Sequence, residues 1–208
     1  MRKPGSLAAV LAAALTIGLG ATPAVATTTW TIEPGGAFTS GPTTFAIGDS
    51  VSHTTITCTS VTLNGTLESG SGVLGPGAGT ITSVSLGTCT AQNGQPFNLE
   101  ATGLPWSINL APNPIGNNNN PTGTITGIQV SSLGPVCKAV IHGNDGVASG
   151  LAPFGFSNRL DTLSIASGGG NLRVFGLSSC TGYFVQGDPV STSANFVLLP
   201  PQTITTSS

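Results

Sequence analysis

Apolar residues along this chain come in short runs, divided by Thr, Ser, Gly and Pro. Runs of four to eight rich in Val, Ile, Thr and Phe, bounded by turn residues, read as β-strands. In chain order the runs are "TTTWTIE", "TTITCTSVTL", "TLESG", "TITSVSLGTC", "FNLEATGL", "WSINLA", "TGTITGIQVSS", "KAVIHG", "GVASG", "DTLSIAS", "NLRVFGLSSC", "SANFVLLP" and "QTITT". Asn64-Gly65 falls between the second and third and predicts a tight hairpin turn. The stretch from Gly70 to Gly79 and "PNPIGNNNNP" read as loops, and Pro105 and Asn144-Asp145 as breaks between strands. Outside the N-terminus, Gly, Pro or a Thr/Ser cluster interrupts nearly every stretch long enough for a helix. The prediction is an all-β chain, an antiparallel β-sandwich or barrel of about a dozen short strands.

The runs also echo one another. Trp30-Thr31-Ile32-Glu33 resembles Trp106-Ser107-Ile108-Asn109, and each is followed by a Pro/Gly-rich stretch and then a cysteine, Cys58 or Cys137. "SLGTCTA" matches "GLSSCTG", and "ATGLP" matches "FVLLP". Anchors in the same order twice suggest two related halves, 27–105 and 106–208, packed as one compact domain.

The N-terminus differs from the rest. Arg2 and Lys3 precede an apolar run from Leu7 to Leu19, and Ala24-Val25-Ala26 offers small residues for cleavage. Residues 1–26 therefore read as a secretory signal peptide. The run of about 13 residues is short of the roughly 20 that span a bilayer. With the signal removed, no membrane association is expected. Leu199-Pro200-Pro201-Gln202-Thr203 loosely resembles a wall-sorting signal, but it lacks the glycine, apolar span and basic tail that sorting needs.

Export changes how the cysteines read. Cys58, Cys89, Cys137 and Cys180 are four, widely spaced and without C-x-x-C pairs, so disulfides are expected in place of metal ligation. Of the three connectivities, the echoing halves favour Cys58–Cys89 and Cys137–Cys180. Charge is scarce. Beyond the signal, Lys138, Arg159 and Arg173 face seven acidic residues, and no basic patch exists to meet phosphates. Nucleic acid is therefore excluded as a partner class. Extracellular or cell-wall polysaccharide and self-association are compatible with the composition, which names no specific partner.

Candidate chemistry is thin. His53 follows Asp49 in "GDSVSH" and His142 precedes Asp145 in "HGNDG", but no G-x-S-x-G elbow accompanies them. The seven acids form no recognisable glycosidase pair. Asn117 to Asn120 and "HGNDG" supply oxygens without a calcium-loop pattern. Neither a cofactor nor a metal is implied. Trp30, Trp106 and Tyr183 could stack on sugar rings, although core packing accounts for large aromatics equally well.

"WTIEPGG", "TSVTLNGTLESGSG", "ATGLPWSINL", "TGTITGI" and "GGGNLRVFGLSSCTG" together resemble a group of small secreted proteins from streptomycetes and related actinobacteria. The resemblance implies export and a β-rich, two-disulfide domain, and it implies no catalytic residue. The leading expectation is a secreted, non-enzymatic protein with a structural or binding role outside the cell or at its envelope. A carbohydrate- or wall-binding module is the rival, and a hydrolase stands third.

Overall fold

A computed structural model describes residues 28–112, 120–144, 150–165 and 170–207. The signal segment, Asp145, most of "GVASG" and Asn117 to Asn119 lie outside the described residues. The described chain contains no helix. Its strands are β1 (Thr29–Glu33), β2 (Gly36–Ser40), β3 (Thr43–Asp49), β4 (Thr55–Leu67), β5 (Gly70–Leu74), β6 (Gly79–Ser85), β7 (Thr88–Ala91), β8 (Pro96–Phe97) and β9 (Leu99–Thr102). They continue with β10 (Trp106–Leu110), β11 (Thr122–Leu133), β12 (Lys138–Gly143), β13 (Gly150–Ser157), β14 (Thr162–Ile165), β15 (Leu172–Ser178), β16 (Val190–Leu199) and β17 (Thr203–Thr206).

The strands close on themselves as a barrel, so the sandwich alternative is set aside. One tier is a complete antiparallel ring of eight: β4, β6, β10, β11, β13, β14, β16 and β2, with β2 returning to β4. Three strands run past this tier and change neighbours. The N-terminal part of β4 pairs with β3 and β7, and β7 with β8. The C-terminal part of β11 pairs with β9 and β12, and β12 with β15. The start of β16 pairs with β3. These make a second tier with two seams. Asn98 joins β8 to β9 at one seam, and a single bridge from Arg173 to Pro189 joins β15 to the start of β16 at the other.

Between β2 and β3 the chain steps from one tier to the other at Gly41-Pro42. The buried Ser40 hydroxyl accepts the Leu63 N–H at 2.8 Å, and the Gly41 N–H goes to the Val197 carbonyl at 3.1 Å. The polar groups freed at the step thus stay paired, as buried backbone must. A three-stranded sheet, β17-β1-β5, buries Trp30, Ile32 and Ile204. Gln202, fully buried, fixes its approach by accepting the Gly35 N–H and donating to the Pro200 carbonyl. The outer edge of β17 is closed by Asn158, whose amide both donates to and accepts from Ile204.

The alternation read from sequence carries through. In β16 every second residue from Val190 to Leu198 is buried, and in β13 every second residue from Gly150 to Phe156. The core is one cluster through both tiers. Both disulfides lie in the second tier. Cys58–Cys89 ties β4 to β7, and Cys137–Cys180 ties the entry of β12 to the exit of β15, the pairing expected. Loops of this length correspond to about 3–4 kcal/mol each in the chain-entropy picture.

Four expectations are corrected. There are seventeen described strands instead of about a dozen, and β4, β11 and β16 are long, at 13, 12 and 10 residues. The Gly70–Gly79 stretch holds β5, and "TITSVSLGTC" is broken into β6 and β7 at Leu86-Gly87. Asn64-Gly65 is no turn, because both residues lie inside β4 at a bulge in its pairing with β6. The glycine serves packing instead. Phe38 lies opposite Gly65 on β2, and a Cβ at Gly65 would collide with the Phe38 ring and the Thr80 carbonyl. Gly123 on β11 carries the Phe154 ring in the same way.

Gly65→Ala is therefore expected to cost about 1–3 kcal/mol by overpacking, measured by urea denaturation. Gly155→Ala, at a strand glycine with open space around it, serves as the control and should be near neutral. Equal effects at the two positions would contradict this packing.

Candidate functional site

The predicted aromatics divide by environment. Trp30 is 1% exposed and Trp106 7%, so both indoles belong to the core. Trp106 lies against the barrel interior and donates from Nε1 to the Thr102 carbonyl at 3.0 Å. Trp30 Nε1 is buried without a partner. Tyr183 is half-buried; its ring meets Phe97 edge-on at 5.1 Å, and its hydroxyl accepts from Asn93 Nδ2 at 3.1 Å. The three rings do not share an exposed face.

The barrel interior is filled rather than hollow. Phe45, Ile81, Trp106, Ile128 and Phe196 are among the side chains around a gap of about 30 Å³, and Thr192 brings the one hydroxyl residue to its wall. Apolar cavities that take up benzene measure ~150 Å³. As folded, the interior has no room for a chain-like ligand.

The histidines sit apart. His142 on β12 stacks on Phe175 of β15, with ring centroids 4.3 Å apart, and its Nδ1 lies 2.8 Å from the Gly143 carbonyl. His53 is exposed, with φ at 57°, in the turn between β3 and β4. Asp49 does not orient it. Asp49 Oδ1 instead accepts the Val51 and Ser52 N–H groups at 2.8 and 2.9 Å, holding the turn. Among the described residues no group of three or more His, Cys, Asp or Glu gathers to hold a metal.

One polar cluster was not legible in the sequence. Residues 179–189 form a strap from β15 to the β3–β4 turn. Ser52 Oγ donates to the Tyr183 carbonyl at 2.8 Å, and the Ser50 N–H goes to the Pro189 carbonyl at 3.3 Å. On the β15 side, the Val174 N–H goes to the Asp188 carbonyl at 3.1 Å and the Gly187 N–H to the Val174 carbonyl at 2.7 Å. Beneath the strap Asp49 lies opposite Val190, two residues past Asp188, so the two carboxyls are neighbours. Both Oδ2 atoms are sealed from solvent, and neither has a donor unless one carboxyl carries a proton. Desolvation, then the Asp49 charge and contact, raise the Asp188 pKa above the ordinary aspartate value, while Arg173 pulls it down. Arg173 itself donates from Nη1 to the Gly187 carbonyl at 3.0 Å. Asp49 and Asp188 are 139 residues apart, so no local motif could have joined them.

If both tryptophans are core, acrylamide should quench native fluorescence far less than that of the unfolded chain. Trp106→Ala should lose about 3–5 kcal/mol of stability. Native quenching near the unfolded level, or a neutral Trp106→Ala, would contradict their burial.

Residues 1–166 match the family described as "Alkane oxidation protein activator PraA/PraB-like". No curated protein and no solved structure gives a significant match. The match spans most of the chain, and the chain belongs to the PraA/PraB-like family.

Proposed function

We propose that this protein is an exported, non-catalytic accessory factor of alkane oxidation that works through its outer surface. The family match over residues 1–166 carries the reading, since the family is named for activating alkane oxidation and not for performing it. The rest of the chain is compatible with that role. His142 is engaged by Phe175 and the Gly143 carbonyl, and the exposed His53 takes part through its backbone carbonyl, which accepts from Gln92; neither is oriented by Asp49, which favours an accessory over a hydrolase. Both cysteine pairs are oxidised, as suits a compartment outside the cytosol. The filled interior argues against carriage of an alkane inside the barrel. Val51, Leu133 and Val185, each more than half exposed, belong to the second tier and its turns and supply apolar surface there.

Deleting the gene in an alkane-growing host and adding back purified protein from Thr27 onward tests the reading. Alkane consumption should fall on deletion and recover with added protein, in proportion to its concentration. The protein alone should consume no alkane, and a His53→Ala/His142→Ala double variant should restore growth equally. Turnover by the protein alone, or loss of rescue in the double variant, would overturn the non-catalytic role. Mass spectrometry of the medium should find a chain beginning at Thr27, and retention of the full-length chain in cells would overturn export.

A further inference from the structure

The seam between β15 and β16 is the least continuous part of the second tier, since one bridge and the 179–189 strap close it. The Asp49 and Asp188 carboxyls meet at this seam. Asp49, opposite Val190 and so beside Asp188, is only 3% exposed; its Oδ1 is spent on the turn, and its Oδ2 and that of Asp188 are both sealed from solvent without a donor. Two neighbouring bare carboxylates repel, and burial increases the cost. Either a proton or a cation could relieve it. A calcium ion would need six to eight oxygens. No third carboxylate, His or Cys joins the pair among the described residues, and the Arg173 charge acts on the same spot.

We propose that Asp49 and Asp188 share one proton between their buried Oδ2 atoms, and that this carboxyl–carboxylate pair is a pH-operated clasp on the strap that closes the second tier. Taking up the proton from solvent makes an O–H···O⁻ bond from the strap to the end of β3. Releasing it to solvent leaves two facing charges and loosens the strap. The charged groups acting on Asp188 are Asp49 on β3 and Arg173 on β15. His53, on the adjoining turn, is exposed, with its carbonyl taking the Gln92 amide at 3.5 Å.

The sign follows from the raised Asp188 pKa. The folded state holds the proton more tightly than the unfolded chain, whose aspartates titrate near pH ~3.9. The clasp's contribution is therefore fully present below that value. It is lost as pH rises through the raised native pKa.

Thermal unfolding of the wild type, Asp188→Asn and Asp49→Asn across the acid-to-neutral range tests this. An amide at either position supplies a permanent donor to the opposite carboxylate. Relative to both variants, the wild type should lose several degrees of melting temperature as pH rises. Hydrogen exchange should show the Val51, Ser52 and Val174 amides losing protection over the same window. Parallel pH profiles in wild type and variants would overturn the clasp. A rise in wild-type melting temperature with added calcium, reversed by EDTA and absent from Asp188→Asn, would overturn it in favour of a cation site. Should the variants not fold, pH-independent protection of those amides in the wild type would overturn it as well.

Discussion

Three strands, β4, β11 and β16, belong to both tiers of the barrel, and the rest of the structure depends on their continuity. Each carries one set of neighbours along part of its length and another set along the rest. A strand that changes partners must keep its backbone groups paired at the crossing. Here that is achieved with a bulge at Asn64/Gly65, a register shift between Thr126 and Ile128, and the Ser40 hydroxyl standing in where β2 gives way to β3. Gly65 and Gly123 let aromatic rings lie flat on the two longest strands, where any side chain would push them away. One continuous core can then fill both tiers.

The second tier is held differently from the first. The eight-strand ring is closed by ladders alone. The second tier has two seams; its disulfides reinforce the paired strands β4–β7 and β12–β15, while the strap's backbone bonds, the Phe97–Tyr183 ring contact and the Asp49–Asp188 pair hold the strap at the β15–β16 seam. This division fits a chain with few charges. With only 6% of residues charged, there is little from which ion pairs could reinforce a seam. Local geometry does that work, and exposed pairs would add little in any case. The same end of the molecule carries the exposed Val51, Leu133 and Val185, while Leu74, Leu160, Val197 and Leu199 are exposed on the three-stranded sheet and the first tier.

The sequence disclosed the strand class because alternation is a local property. β1, β10, β12 and β17 lie where their runs predicted them, and the cysteine pairing followed from the order of the anchors. What it hid were features set by distant contacts. β13, "GLAPFGFS", is rich in Gly and Pro, and beyond Gly150 none of the apolar runs covers it. In the barrel it is a strand, paired with β11 from Gly150 to Gly155 and with β14 from Phe154 to Ser157. Asn64-Gly65 spells a hairpin turn locally, yet the Phe38 ring claims the glycine. Trp30 and Trp106 are bulky enough for either core or binding surface, and only the surrounding strands place them inside. The Asp49–Asp188 pair has no local signature at all, since only the barrel's closure brings the two residues together.

Native-state hydrogen exchange along β4 tests the central claim most directly, that this strand joins the two tiers into one cooperative unit. Amides from Ile56 to Thr59 pair in the second tier and those from Thr62 to Leu67 in the first. The two groups should exchange last and with the same free energy of opening, with β5 and the strap opening earlier. If the 56–59 amides exchange well before the 62–67 amides, the tiers open independently and the strand does not couple them.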